Sequence, residues 1–152
     1  MIKRESMLRK GNDIYYDKMK VGQKIIDQRD KSIKNYVAIF DIDDTILNTN
    51  DIIIEPIYKL YNYALSNNIH TIFITAREGN KDNIKHTIKQ LKRFNIKGYD
   101  LLYLRPPHMK NIEKFKLYAR MNVVECGYTP LFSIGDMYWD VGEFGGESIH
   151  IC

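Results

Sequence analysis

From Tyr36 onward two hydrophobic rhythms take turns along the chain. Short, largely apolar runs, the pattern of strands buried on both faces, occupy residues 36–41, 71–75, 99–104 and 131–134, with a fifth candidate at 148–151. Between them apolar residues recur at helical spacing. Ile57, Leu60, Tyr61, Ala64 and Leu65 predict a helix over 53–66, closed by Asn67-Asn68. Ile84, Ile88 and Leu91 mark a second helix that ends before Gly98, and Ile112, Phe115, Ala119 and Val123 mark a third that ends at Gly127. Pro106-Pro107 stops the third strand. Strands alternating with helices predict an α/β fold, a central parallel sheet of about five strands covered by helices on both faces. Residues 1–35 are charged, with Ile14, Met19, Ile25, Ile26 and Ile33 as a modest helical stripe. They read as a helical lead-in belonging to the same unit as the main domain at 36–152.

Composition narrows the class without naming a chemistry. A chain of 152 residues, 44% hydrophobic and 28% charged, suits one globular domain with a real core. Cys126 and Cys152 form neither a disulfide framework nor a metal-ligand spacing, so a reducing, intracellular setting is expected. The basic N-terminus has no apolar segment of signal-peptide length behind it, and no run is long enough to cross a bilayer. A net charge of +4 is compatible with an anionic substrate but too small to argue nucleic-acid binding.

The chemistry lies at the strand ends. The first run stops in Asp41-Ile42-Asp43-Asp44-Thr45, the second in Thr75-Ala76-Arg77, the fourth in Gly135-Asp136 with Asp140 four residues on. A parallel sheet brings the carboxyl ends of its strands to one edge, so these residues converge there. An acidic turn capping the next helix would account for Asp44 or Thr45 but not for the whole set. Gathering that many carboxylates costs free energy unless a cation neutralises them. The oxygen-only donor set suits a hard ion such as Mg2+, and no His or Cys cluster competes for a softer one.

In order and wording these segments resemble the haloacid dehalogenase (HAD) superfamily, mostly phosphoryl-transfer enzymes on a Rossmann-like, three-layer fold. The resemblance runs from Asp41 to Asp140, about two thirds of the chain. Phe40-Asp41-Ile42-Asp43-Asp44-Thr45, Ile74-Thr75-Ala76-Arg77-Glu78, Phe115-Lys116 with Arg120, and Gly127-Tyr128 ahead of Gly135-Asp136 look most like its acid-phosphatase branch. The resemblance implies that 36–152 is a catalytic domain hydrolysing phosphomonoesters. It implies Asp41 as nucleophile and Asp43 as general acid and base, with Thr75 and Lys116 on the transferring phosphoryl group. It further implies Mg2+ held by Asp41, the Asp43 carbonyl, Asp136 and Asp140, the last directly or through water. A carboxylate at position 43 separates this chain from the dehalogenating, phosphonate-cleaving and ATP-pumping branches.

Other residues carry weaker expectations. Lys110, Lys114 and Lys116 all lie near the start of the third helix; local wording favours Lys116, with Lys114 next. Arg77 is expected either on substrate, on a neighbouring carboxylate, or free in a loop. Asp44 is read as structural, Arg105 and His108 as candidates for substrate contact, and Tyr138 and Trp139 as packing residues that could also stack on a base. The intervals 45–75 and 77–116 are too short for the lid domain many relatives carry, so the active edge is expected to be capless and open unless residues 1–35 or another subunit cover it. The expected partner is a phosphorylated substrate (small molecule, protein or nucleic-acid end), with no membrane and with a homo-oligomer possible. A nucleotide or nucleic-acid-end phosphatase and a catalytically idle relative that binds phosphorylated ligands are the competing readings.

Overall fold

The computed structural model describes residues 2–152, and side chains from residue 14 onward. Five strands, β1 (Tyr36–Phe40), β2 (His70–Glu78), β3 (Leu101–Arg105), β4 (Thr129–Gly135) and β5 (Glu147–His150), form one sheet in the order β3-β2-β1-β4-β5. Every pairing is parallel. The helices are α1 (Ile2–Asp27), α2 (Glu55–Ser66), α3 (Lys81–Arg93) and α4 (Ile112–Glu125), with a 3-10 turn at Tyr138–Asp140. Among the described residues no separate lid interrupts the intervals 45–75 or 77–116. Among the described residues no helix is long and apolar enough to cross a membrane.

Alternation along the central strand assigns the two faces. Ala38 and Phe40 turn toward α1 and α2, joining a core that contains Met19, Ile26, Ile57, Leu60 and Tyr61. Val37 and Ile39 turn the other way, onto Phe115, Ala119 and Val123 of α4. Phe40 is the hub of the larger core, with ring centroids of Tyr61, Phe73 and Phe132 at 5.4, 6.0 and 5.8 Å. Tyr61 is fully buried, and its hydroxyl donates to the Lys97 carbonyl at 2.9 Å, so its polar end is not stranded.

Local chemistry sets the element ends. The predicted helix at 53–66 starts at Glu55, because Pro56 suits the first turn. Asn80 and Asn111 cap α3 and α4 through the backbone N–H groups of Asn83 and Lys114, at 2.8 and 3.0 Å. The helix marked by Ile84, Ile88 and Leu91 forms as α3 and buries Leu91, but Ile84 and Ile88 are 37% and 45% exposed, whereas Thr87 and Gln90 face inward. The polar pair is buried because it grips an arginine described below.

The lead-in is a long helix packed along α2, with Met19 and Ile26 in the core. Gly22 permits the crossing: a Cβ there would lie 2.6 Å from the Leu60 side chain. The Tyr15 hydroxyl donates to the Asp44 carbonyl at 2.8 Å, so α1 also supports the acidic loop after β1.

Candidate active site

The chain direction reverses across β1. The connections from β1 to β2 and β3 step one way, and the return to β4 crosses to the other side. The carboxyl ends of β1 and β4 therefore flank the crevice at which open α/β sheets bind ligands. The Asp41 N–H donates to the Ile134 carbonyl at 3.0 Å, holding the end of β1 beside Gly135-Asp136.

Asp41 continues the parity of Val37 and Ile39, so its side chain turns toward α4. There it meets Lys116, whose Nζ lies 3.0 Å from Asp41 Oδ1, 2.6 Å from Asp140 Oδ1 and 2.7 Å from the Ile74 carbonyl. One ammonium thus joins the end of β1, the backbone of β2 and the 3-10 turn that follows β4. Lys116 and Asp140 are 2% and 5% exposed, and Lys114 is exposed. The Thr45 hydroxyl donates to Asp41 Oδ2 at 3.2 Å, fixing the carboxylate from its other side. Each oxygen keeps a lone pair beyond these contacts.

Asp136 is half-buried and opens onto the same cleft, whose wall comprises Asp41, Asp43, Asp44, Ala76, Lys116, Asp136, Met137, Trp139 and Asp140. Asp41, Asp136 and Asp140 each offer a carboxylate oxygen within 4.8 Å of the other two. Asp140, like Asp41, is engaged at both oxygens: its Oδ1 meets Lys116, and its Oδ2 accepts the Met137 N–H at 2.9 Å. The side chain of Asp43 lies outside that trio and is gripped by Arg77 instead. Thr75 is fully buried within β2, three residues before its end, its hydroxyl accepting the Arg77 N–H at 3.2 Å.

The electrostatics follow from burial. Desolvation raises the Asp41 carboxyl well above its ordinary range; Lys116 opposes the shift and Asp140 adds to it. Asp136 is raised as well, first by burial. Burial works against the Lys116 ammonium, yet Asp41 and Asp140 outweigh it and hold its pKa above the usual lysine value. The arrangement stores unneutralised negative charge that a divalent cation would relieve.

For several residues named above, the sequence did not show what they touch. Arg120, one helical turn beyond Lys116 and also buried, donates to the carbonyls of Trp139 and Glu143 at 2.8 Å each and pins the loop carrying Asp140. Its spacing from Lys116 was the available signal. Arg105, expected near substrate, spends its guanidinium on the carbonyls of Ala76 and Met109. His108 is exposed, bordering an apolar groove with Ile84 and Ile88. Trp139 lines the cleft, and Tyr138 is tied to Glu113.

Gly135 permits the close packing at this corner. A Cβ there would lie 2.3 Å from the Asp140 side chain. Gly135→Ala is expected to displace Asp140 from Lys116, costing about 1–3 kcal/mol through overpacking. Urea unfolding of the variant checks this; an unchanged midpoint would mean the corner is looser than the geometry indicates.

A doubly covered parallel sheet with carboxylates and a buried lysine across its switch point defines a class of α/β protein suited to phosphoryl chemistry. The family model of the HAD superfamily, subfamily IIIB (acid phosphatase), matches residues 49–150. The chain belongs to this family, whose members are phosphoric monoester hydrolases. The matched span contains Thr75, Lys116, Asp136 and Asp140; Asp41 and Asp43 precede it. A search of curated proteins finds no match.

Proposed function

We propose that this protein is a Mg2+-dependent phosphomonoester hydrolase that works through an aspartyl-phosphate on Asp41. The observation that carries the reading is the placement of Asp41 between Thr45 and Lys116 at the floor of a cleft shared with Asp136. Held from two sides, an Asp41 oxygen attacks phosphorus through its remaining lone pair as the bond from phosphorus to the ester oxygen breaks. Asp43, on the cleft wall, gives a proton to the departing oxygen. It then takes one from the water that attacks the aspartyl-phosphate, which releases inorganic phosphate and restores Asp41. Lys116 of α4, which lines the cleft, and Thr75 of β2 are the groups assigned to the phosphoryl oxygens.

The donor set fits a hard divalent ion: oxygen ligands only, mutually close, with the Asp41 and Asp136 carboxyls raised first by burial. Asp41 and Asp136 would hold it, with the Asp43 carbonyl and with Asp140 at the margin. When bound, the ion neutralises charge on the phosphoryl oxygens. The exposed, unpaired Cys126 and Cys152 support an intracellular setting.

The testing experiment is phosphate release from an aryl phosphate with Mg2+ and with chelator. Turnover that persists undiminished in chelator would sink the metal-dependent reading. A linked prediction concerns pH. The folded pKa values of Asp41 and Asp136 lie above their unfolded ones, so in the metal-free protein rising pH strips protons that folding favours, and this pair lowers stability. Metal needs the ionised forms and competes with those protons. The rise in melting temperature given by Mg2+ is therefore expected to be small at pH 5 and larger at pH 7.5. An equal shift at both values would mean the ion binds elsewhere.

A further inference from the structure

We infer that Arg77, held from behind by α3, is a positioning residue that fixes Asp43 in the cleft wall; this rests on the reading of Asp43 as the proton-transfer group. The Arg77 guanidinium makes a two-point ion pair with Asp43, Nε to Oδ2 at 3.0 Å and an Nη to Oδ1 at 2.8 Å. Its other Nη donates to Thr87 Oγ1 at 3.1 Å and to Gln90 Oε1 at 2.7 Å. The fork is thereby oriented as well as charged, which a lysine could not reproduce.

The sequence around Arg77 is bent to make this contact. The register between β2 and β3 shifts between Thr75 and Glu78, and a bulge of this kind re-aims the side chains within it. Gln90 is oriented in turn: its Nε2 donates to Asp51 Oδ1 at 2.6 Å, and Arg93 pairs with the same carboxylate. Asp51 adopts a left-handed backbone, φ 60°, in the segment that follows the acidic turn. Two carboxylates of the segment between β1 and α2, Asp43 and Asp51, are thus tied to one face of α3. This explains why α3 buries Thr87 and Gln90 and leaves Ile84 and Ile88 outside.

Direct phosphate binding by Arg77 is the competing role. Its guanidinium is already engaged on two sides, and Arg77 is not part of the cleft wall, which includes Asp43 and Ala76. The Asp43 side chain is 51% exposed, so without the fork little else would restrain it.

The test is a double-mutant cycle on the full chain with an aryl phosphate and Mg2+. Arg77→Ala is expected to lower kcat about 10^2-fold, within the range for misplaced acid–base groups, with KM little changed. In an Asp43→Asn background the same change should have almost no further effect, because it acts through a group already lost. Millimolar guanidinium should restore part of the activity to Arg77→Ala and none to Asp43→Asn, whereas Arg77→Lys should stay impaired. Gln90→Leu should lower kcat in the same direction but less. A rise in KM that persists in the Asp43→Asn background would overturn the inference in favour of phosphate contact, and an unchanged kcat would overturn it outright. A crystal structure of Arg77→Ala reads positioning without turnover: Asp43 should leave its place while Asp41 and Asp136 keep theirs. Wild-type protein that releases no phosphate, combined with a displaced Asp43, would refute the phosphatase reading and leave the positioning intact. An undisplaced Asp43 in an active wild type would refute the positioning alone.

Discussion

Asp41→Asn should reduce phosphate release by about 10^4-fold or more, the scale seen when an attacking group is removed from a preorganised site. The amide is nearly the same size and can still accept from Lys116, but it is a far poorer nucleophile. The fold should survive. Burial already disfavours the charge on Asp41, and Lys116 keeps its second partner, Asp140, at 2.6 Å. Circular dichroism and the unfolding midpoint should therefore stay close to those of the parent while turnover is lost. Substantial residual activity in a correctly folded variant would remove Asp41 from the chemistry.

Lys116→Met should be the most damaging single change to stability in this region. It leaves Asp41 and Asp140, both buried, without their shared cation, and breaking a buried pair from one side costs about 3–5 kcal/mol. The Ile74 carbonyl also loses its buried donor. The loss has a pH signature. Carboxylates deprived of the ammonium hold their protons to higher pH, so the destabilisation should be smaller at pH 5 than at pH 8. Guanidinium chloride unfolding of the metal-free protein at both values measures it. Activity should fall at least about 10^2-fold, as when one preorganised charge facing the reacting group is removed. A variant as stable as the parent at pH 8 would mean that the two acids are protonated there or reach solvent.

Hydrophobic spacing marks the five strands and the helices between them, and the strand ends carry their acids in plain view in the sequence. Strand borders differ by a residue or a few: β2 runs on through Glu78, and β3 starts at Leu101 rather than at Tyr99. Such ends depend on where hydrogen-bonded pairing stops, which a periodic pattern does not encode. The inward face of α3 is misleading. Ile84 and Ile88 are the more apolar residues, yet the helix turns Thr87 and Gln90 inward because an arginine from another element waits there.

The alternation of apolar runs and amphipathic helices by itself determined the parallel sheet, and with it the edge at which Asp41 and Asp136 meet, because side-chain period and strand polarity are properties of the chain. Only the tertiary structure decided which charges pair. Lys116 rather than Lys114 reaches Asp41, Asp140 turns to that lysine, and Arg77 closes on Asp43. Those choices depend on distances of a few ångströms between residues up to 75 positions apart, and Coulombic and hydrogen-bond energies fall away over that same range.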